Sequence, residues 1–281
     1  MNYSHLIERT DESFQSATGV SKEVFQALIK IIREYKSERS SKGGRKPILT
    51  LEDQLLVFLS YYRQSVSYEY LGCMYGMKRN AIFYIVQRIE NILKDHVDLL
   101  PPDSTLLGAP MIVNEVIMDA TKCAIERPKK KDTQKDAYSG KGRRHTYKVL
   151  VAIDAITKTI IHISFAMGSV HDFTMFKMIQ EWIDGTIALI LDKGFQGVGD
   201  YHYNYLMPKK SSKKNPLSDD EKLVNSLISS IRIPIEHVFA KLKRFKIIST
   251  RFRNNPNQFQ TKFNLIVGLY NFSLRTQGKG L

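Results

Sequence analysis

The 281-residue sequence predicts an α/β protein: an all-α N-terminal domain carrying a helix-turn-helix, followed by a larger domain that mixes strands and helices. Two observations predict it, and a third bears on function. Up to about residue 100 apolar residues recur at helical spacing, and from residue 112 onward β-branched runs of strand length take over. Two one-signed basic blocks then frame three carboxylates that sit in apolar segments. The change of pattern falls at Pro101-Pro102, which divides the chain into residues 1–100 and 101–281.

Residues 18–36 place Val24, Phe25, Leu28, Ile31 and Ile32 on one helical face, with Ser21 as N-cap. The stretch KSERSSKGGRKP, 36–47, is polar and basic and contains Gly-Gly and Pro, which reads as a linker or arm. Thr50 with Leu51-Glu52-Asp53 opens a second helix to about Arg63. Ser67 caps a short segment ending at Gly76, and Lys78 to Asp95 form a third helix with Ile82, Ile85, Val86, Ile89, Ile92 and Leu93 inward. A glycine turn before the last of three helices is the helix-turn-helix pattern, in which Lys78, Arg79 and Asn80 open the helix that reads base edges. Any three-helix bundle shares the apolar pattern, so the motif alone leaves both readings open.

Residues 112–125 read as a strand interrupted by Asp119, and 145–153 and 159–167 as two strands joined by a turn from Asp154 to Lys158. Asp172 to Ile183 keeps a helical period, with Asp172 as its cap and Trp182 in the core. TIALIL at 186–191 is a buried strand of the parallel kind, ending at Asp192. Ser218 and Glu221 form a capping box, a further helix spans about Arg232 to Lys246, and an amphipathic stretch from Phe259 to Leu274 closes the domain.

No apolar run reaches the roughly 18 residues of a membrane span, and MNYSHLIERTDESF lacks the order of a signal peptide, so the expectation is a cytoplasmic, nucleoid-associated protein with no membrane partner. Cys73 and Cys123 stand alone, which supports neither a disulfide framework nor a cysteine zinc site. Net charge is +14 and unevenly placed: residues 1–121 are at −1, 122–148 at +7 and 207–253 at +8. Such blocks are the footprint expected for a polyanion, here nucleic acid, and no basic amphipathic helix accompanies them to suggest a membrane surface.

Asp119 interrupts an apolar strand, Asp192 ends one at the lip of DKGFQG, and Glu236 lies among Ile233, Ile235, Val238 and Phe239. A buried unpaired carboxylate is costly, so each needs a cation. Lysine or arginine would serve; so would metal, because three anions within about 4–5 Å repel by roughly 3–4 kcal/mol per pair at an effective dielectric near 20. Oxygen ligands without a His or Cys cluster favour Mg2+ or Mn2+, and two such ions would suit phosphodiester chemistry. Taken singly, Asp119 reads equally as a strand-end residue, Asp192 as a turn residue, and Glu236 as half of an exposed pair with Arg232. Arg232, Glu236, Phe239 and Lys243 fall at i, i+4, i+7 and i+11, one helical face on which Arg232 and Lys243 would clamp phosphates. Pro234 allows a second version, in which the helix begins there and Arg232 lies outside it.

In this order, VIMDATKCAIERP, YSGKGRRHTYKVLVAIDA, LILDKGFQG and RIPIEHVFAKLKRFKII resemble the DDE transposases of the compact bacterial insertion-sequence type related to Harbinger elements. The resemblance covers roughly residues 47–273; the Tyr138–Lys148 block is its specific signature, and Arg232, Glu236 and Lys243 match an Arg-x3-Glu-x6-Lys spacing. It departs where some relatives place a Tyr three residues before the Arg and this chain has Ser229.

The resemblance implies a ribonuclease-H-like catalytic domain and a metal-binding triad of Asp119, Asp192 and Glu236 holding two Mg2+ or Mn2+ ions. It implies hydrolysis at the transposon ends and joining of the 3′-hydroxyl to target DNA, with double-stranded terminal inverted repeats and target DNA as partners and a homodimer or higher oligomer on DNA. Lys78, Arg79, Asn80, Lys141, Arg143, Arg144, His145, Lys148, Arg232 and Lys243 are the candidate DNA contacts. A nuclease that cleaves without joining, and a domesticated DNA-binding protein, are the alternatives.

Overall fold

The computed structural model describes residues 2–39, 47–102, 104–212 and 215–280. They divide into two compact units: Met1–Pro101 with Leu242–Thr250 and Asn254–Gly280, and Pro102–Lys241 with Arg251–Arg253. Among the described residues no helix is long and apolar enough to cross a membrane.

The first unit opens with α1 (Tyr3–Ile7), α2 (Asp11–Thr18) and α3 (Lys22–Arg39). The Ser21 hydroxyl accepts from the Val24 amide as the capping pattern requires, and all five predicted inward residues of α3 are buried. The helix runs three residues past Lys36; the rest of the expected linker, 40–46, lies outside the described residues. α4 (Leu51–Gln64), α5 (Tyr68–Tyr75) and α6 (Arg79–Lys94) follow, and Thr50 caps α4 through the Asp53 amide at 3.1 Å. Two glycines make the turn into α6. Gly76 takes φ +63°, and a Cβ on Gly72 would stand 2.5 Å from the Met77 carbonyl oxygen. The six predicted inward residues of α6 are buried, while Lys78, Arg79 and Asn80 are exposed at its start.

The second unit holds β1 (Glu115–Ala124), α7 (Lys131–Ala137), β2 (Tyr138–Ser139), β3 (Arg144–Asp154), β4 (Ile160–Met167), α8 (Asp172–Lys177), β5 (Ala188–Ile190), β6 (Tyr205–Leu206) and α9 (Asp219–Leu242). β3 is antiparallel to β1 and β4 antiparallel to β3, whereas β5 is parallel to β1 and β6 parallel to β5. The order β4–β3–β1–β5–β6 is that of the ribonuclease-H-like fold; β2 pairs with the first residues of β3. One face of the central strands, Val116 and Met118 with Leu150 and Ala152, packs into a core with Met175, Phe176, Ile187 and Phe195. Side chains alternate along a strand, so Asp119 belongs to the other face, with Ile117 and Thr121. Asp154 forms the β3–β4 turn: its carboxylate accepts from the amides of Ile156 and Thr157.

Five expectations are corrected here. The helix expected over 172–183 ends at Lys177, and a short turn at Gln180–Trp182 leaves Trp182 56% exposed while Ile179 and Ile183 enter the core. Asp172 is the first helical residue and not the cap, which is His171. Ser218 and Glu221 do form the reciprocal capping box, but one helix runs from there through Pro234 to Leu242. Lys243 therefore lies just beyond the helix and belongs to the first unit.

The amphipathic stretch near the C-terminus, expected to close the sheet domain, instead packs with the helices. After α10 (Lys246–Ser249), α11 (Phe259–Thr276) returns to the first unit. It buries Lys262, whose Nζ lies 2.8 Å from Glu90 Oε2 and over the rings of Tyr61 and Tyr62. Gly268 lets it approach the Leu99 carbonyl, which a Cβ would meet at 2.3 Å.

Candidate active site

β1 and β5 run parallel with Ile117 opposite Ile190, and continuing that register by two residues sets Asp192 beside Asp119. Parallel strands lie roughly 4.8 Å apart, so the two carboxylates come from neighbouring central strands of the sheet. Asp192 opens a tight turn in which the Gly194 amide donates to its Oδ1 at 2.6 Å. Asp119 Oδ1 accepts from the Ala120 amide at 2.7 Å, and its Oδ2 accepts from Arg232 Nη2 at 2.9 Å. Burial pushes the Asp119 carboxyl up to about 6; Arg232 opposes this, and the charges of Asp192 and Asp172 add to it.

Arg232 is therefore the counter-ion of Asp119, with its side chain largely buried, and this replaces the expectation of an outward phosphate clamp. Its Nε is buried without a hydrogen-bond partner. Glu236 follows one turn later on the same helix and is exposed, and among the described residues no group of three His, Cys, Asp or Glu side chains is assembled for a metal ion. The structure thus brings together Asp119, Asp192, Asp172 and Arg232, and does not bring Glu236 into a ligand group with them.

Lys148 departs further from expectation. It is buried and pairs with Asp172 Oδ1 at 2.7 Å while donating to the Val170 carbonyl, which removes it from any DNA-facing surface. The sequence signal for it was available: a lysine within an apolar strand is as costly as an aspartate there. Lys141 and Arg143 are exposed in the turn between β2 and β3, Arg144 is exposed as the first residue of β3, and His145 beside it is partly exposed. Arg143 holds φ +47° in that turn.

The donor chemistry fits a hard divalent cation. Asp119 and Asp192 offer carboxylate oxygens, and burial holds the Asp119 carboxyl well above the ordinary aspartate value despite the Arg232 guanidinium on it.

Two family models match the chain. Residues 118–271 match the DDE superfamily endonuclease, and residues 47–98 match the helix-turn-helix of DDE superfamily endonuclease. The chain is 35% identical over 266 residues to a protein described as a transposase for insertion sequence element IS702 of Microchaete diplosiphon, covering 94% of this chain and 95% of that one. This chain belongs to the DDE superfamily endonucleases. It is also 23% identical over 234 residues to a transposase described for insertion sequence element IS112 of Streptomyces albus G, covering 82% of this chain and 83% of that one. Among solved structures, a piggyBac transposase synaptic complex with hairpin DNA gives a TM-score of 0.45 at 11% identity, covering 97% of this chain and 77% of that one. Family membership makes the endonuclease a metal-dependent DNA-cleaving enzyme of the transposase class.

Proposed function

We propose that this endonuclease binds the ends of a mobile DNA element, hydrolyses phosphodiester bonds there and joins the freed 3′-hydroxyl to target DNA by direct transesterification. The observation that carries the reading is the proximity of Asp119 and Asp192, two residues beyond the last paired positions of β1 and β5, with Asp172 nearby and Arg232 as a cation on Asp119. Asp119 and Asp192 would hold Mg2+ or Mn2+, with Glu236 brought in from α9 as the third ligand once DNA is bound. Two such ions supply Lewis-acid stabilisation at phosphorus and a more acidic water or hydroxyl.

The chain's own residues bind and orient. Arg232 fixes the Asp119 carboxylate through Oδ2. Lys141, Arg143 and Arg144 provide exposed positive charge for backbone phosphates on the same unit, and Lys78, Arg79 and Asn80 stand at the exposed start of α6 to read base edges. A role as second-copy assembly on DNA, and action at the chromosome in the cytoplasm, belong to the same proposal.

The test uses supercoiled plasmid carrying the DNA that flanks the gene, and separately a pre-cleaved end with a free 3′-hydroxyl, each with Mg2+, Mn2+ or chelator. Metal-dependent nicking and joining, both lost in Asp119→Asn, are the expected result. Nicking without joining of the pre-cleaved end would replace the transposase reading with a nuclease. Unchanged activity in Asp119→Asn would remove the proposed site.

A further inference from the structure

The Lys148–Asp172 ion pair lies beside the proposed metal site, and the reaction as described gives it no task. Lys148 projects from β3 and is 5% exposed; Asp172 begins α8. One carboxylate oxygen of Asp172, Oδ1, is taken by Lys148 Nζ at 2.7 Å. The other, Oδ2, and Asp192 Oδ1 both stand 2.8 Å from the point that a Cβ on Gly194 would occupy. Gly194 is thus pinched between two carboxylates while its amide donates to one of them, Asp192 Oδ1, at 2.6 Å.

Two like charges across a glycine repel and would swing apart if both were free. One of them is not free. Lys148, itself anchored by donating to the Val170 carbonyl, holds Asp172 through Oδ1, so of the two carboxylates only Asp192 can respond to the repulsion. We propose that Asp172, fixed by Lys148, is a positioning residue for Asp192. It closes the α8 side of the turn, keeps Asp192 Oδ1 on the Gly194 amide, and leaves Asp192 Oδ2 as the oxygen available for metal. Carboxylates that bind metal depend on such outer partners to hold their orientation. The requirement for glycine at 194 follows from the same crowding, since any side chain would displace one carboxylate.

This rests on the metal site proposed above, and the experiment separates the two. Mn2+ binding to the full-length, DNA-free protein is measured by electron paramagnetic resonance for wild type, Asp119→Asn, Asp172→Asn and the double variant Lys148→Met/Asp172→Leu. The double variant replaces both charges by apolar groups, a change that buried pairs commonly tolerate, and thermal unfolding checks that it folds. Asp172→Asn and the double variant are both expected to weaken Mn2+ binding by about 10- to 100-fold. In the nicking assay the Mn2+ concentration for half-maximal rate should rise likewise, with the rate at saturating metal retained. A pair that merely supports the fold would lower the active fraction and leave the metal requirement where it was. Mn2+ affinity in the folded double variant equal to wild type, with Asp119→Asn losing it, overturns the inference; affinity unchanged in Asp119→Asn overturns the site itself.

Discussion

Arg232 Nη2 lies 2.9 Å from Asp119 Oδ2, with both side chains mostly buried, so the guanidinium stands where a cation on that carboxylate is needed. Removing it leaves an uncompensated carboxylate in a setting that already pushes Asp119 up to about 6. Arg232→Ala should cost about 2–3 kcal/mol in chelator, less than the loss of one partner from a fully buried pair. Millimolar Mg2+ should restore part of that loss in Arg232→Ala and none of it in Arg232→Ala/Asp119→Asn. Urea unfolding with and without metal reads both; equal metal effects in the two variants would refute the assignment.

In the helical unit, Glu90 Oε2 accepts from both Lys262 Nζ at 2.8 Å and the Tyr62 hydroxyl at 2.7 Å, and Lys262 is fully buried. Burial and the Glu90 charge hold the Tyr62 phenol well above its ordinary value, so it stays a donor. Lys262→Met should therefore cost about 3–5 kcal/mol by stranding Glu90, whereas Glu90→Leu/Tyr62→Phe/Lys262→Met should fall within about 1 kcal/mol of wild type. Chemical denaturation of the two variants decides; a triple variant as unstable as the single one would show that packing, not charge, is at stake.

The same pair shows where sequence reading ends. A lysine in an amphipathic helix looks like a surface residue, and its anion lies 172 positions earlier, so nothing local marks it as buried. Asp119 and Asp192 stand out because each breaks or ends a short apolar run, and extending the β1–β5 register by two residues puts them side by side. β1, β3, β4, β5 and the inward face of α6 are legible from their apolar runs and period, whereas β2 and β6, two residues each, carry no such signal. Pro234 misled because an interior proline costs a helix roughly 3 kcal/mol, yet Ile235, Val238 and Leu242 are buried beyond it and Arg232 is fastened to Asp119 before it. α1 and α2 are too short for a periodic signal. The sequence shows that a lysine at 148 is costly in an apolar strand but does not identify its partner, Asp172, which is set by the fold and not by spacing.

Charge placement predicts two kinds of DNA contact that salt will separate. Lys141→Ala, in the exposed turn before β3, and Arg144→Ala, at the exposed first residue of β3, should weaken binding to any duplex alike and each reduce the log-log salt slope by about 1. Arg79→Ala and Asn80→Ala, at the start of α6, should cost about 1–3 kcal/mol on the element's own ends and less on unrelated DNA. Fluorescence anisotropy over a salt series measures all four. Loss of end preference in the Lys141 variant, with none in the Arg79 variant, would reverse the roles.

His162 offers a test by pH away from the acidic cluster. It is buried on β4; its Nδ1 lies 2.8 Å from the Ser104 hydroxyl, its Nε2 has no partner, and burial depresses the imidazole to about 4. Between the ordinary value of 6.5 and 4, the unfolded chain therefore binds a proton that the folded chain refuses. Stability from this group is complete above pH 6.5 and is lost as pH falls through 4, by about 3 kcal/mol in all. Carboxylates titrate over part of the same range, so the comparison must be with His162→Gln, which keeps a hydrogen-bonding group and cannot ionise there. The stability of wild type relative to that variant should fall by about 3 kcal/mol from pH 7 to pH 4. Trp182, the single tryptophan, has its ring 6.3 Å from His162 and reports the unfolding of that region by fluorescence. A difference that stays constant with pH would mean that water reaches the imidazole and that its burial carries no electrostatic cost.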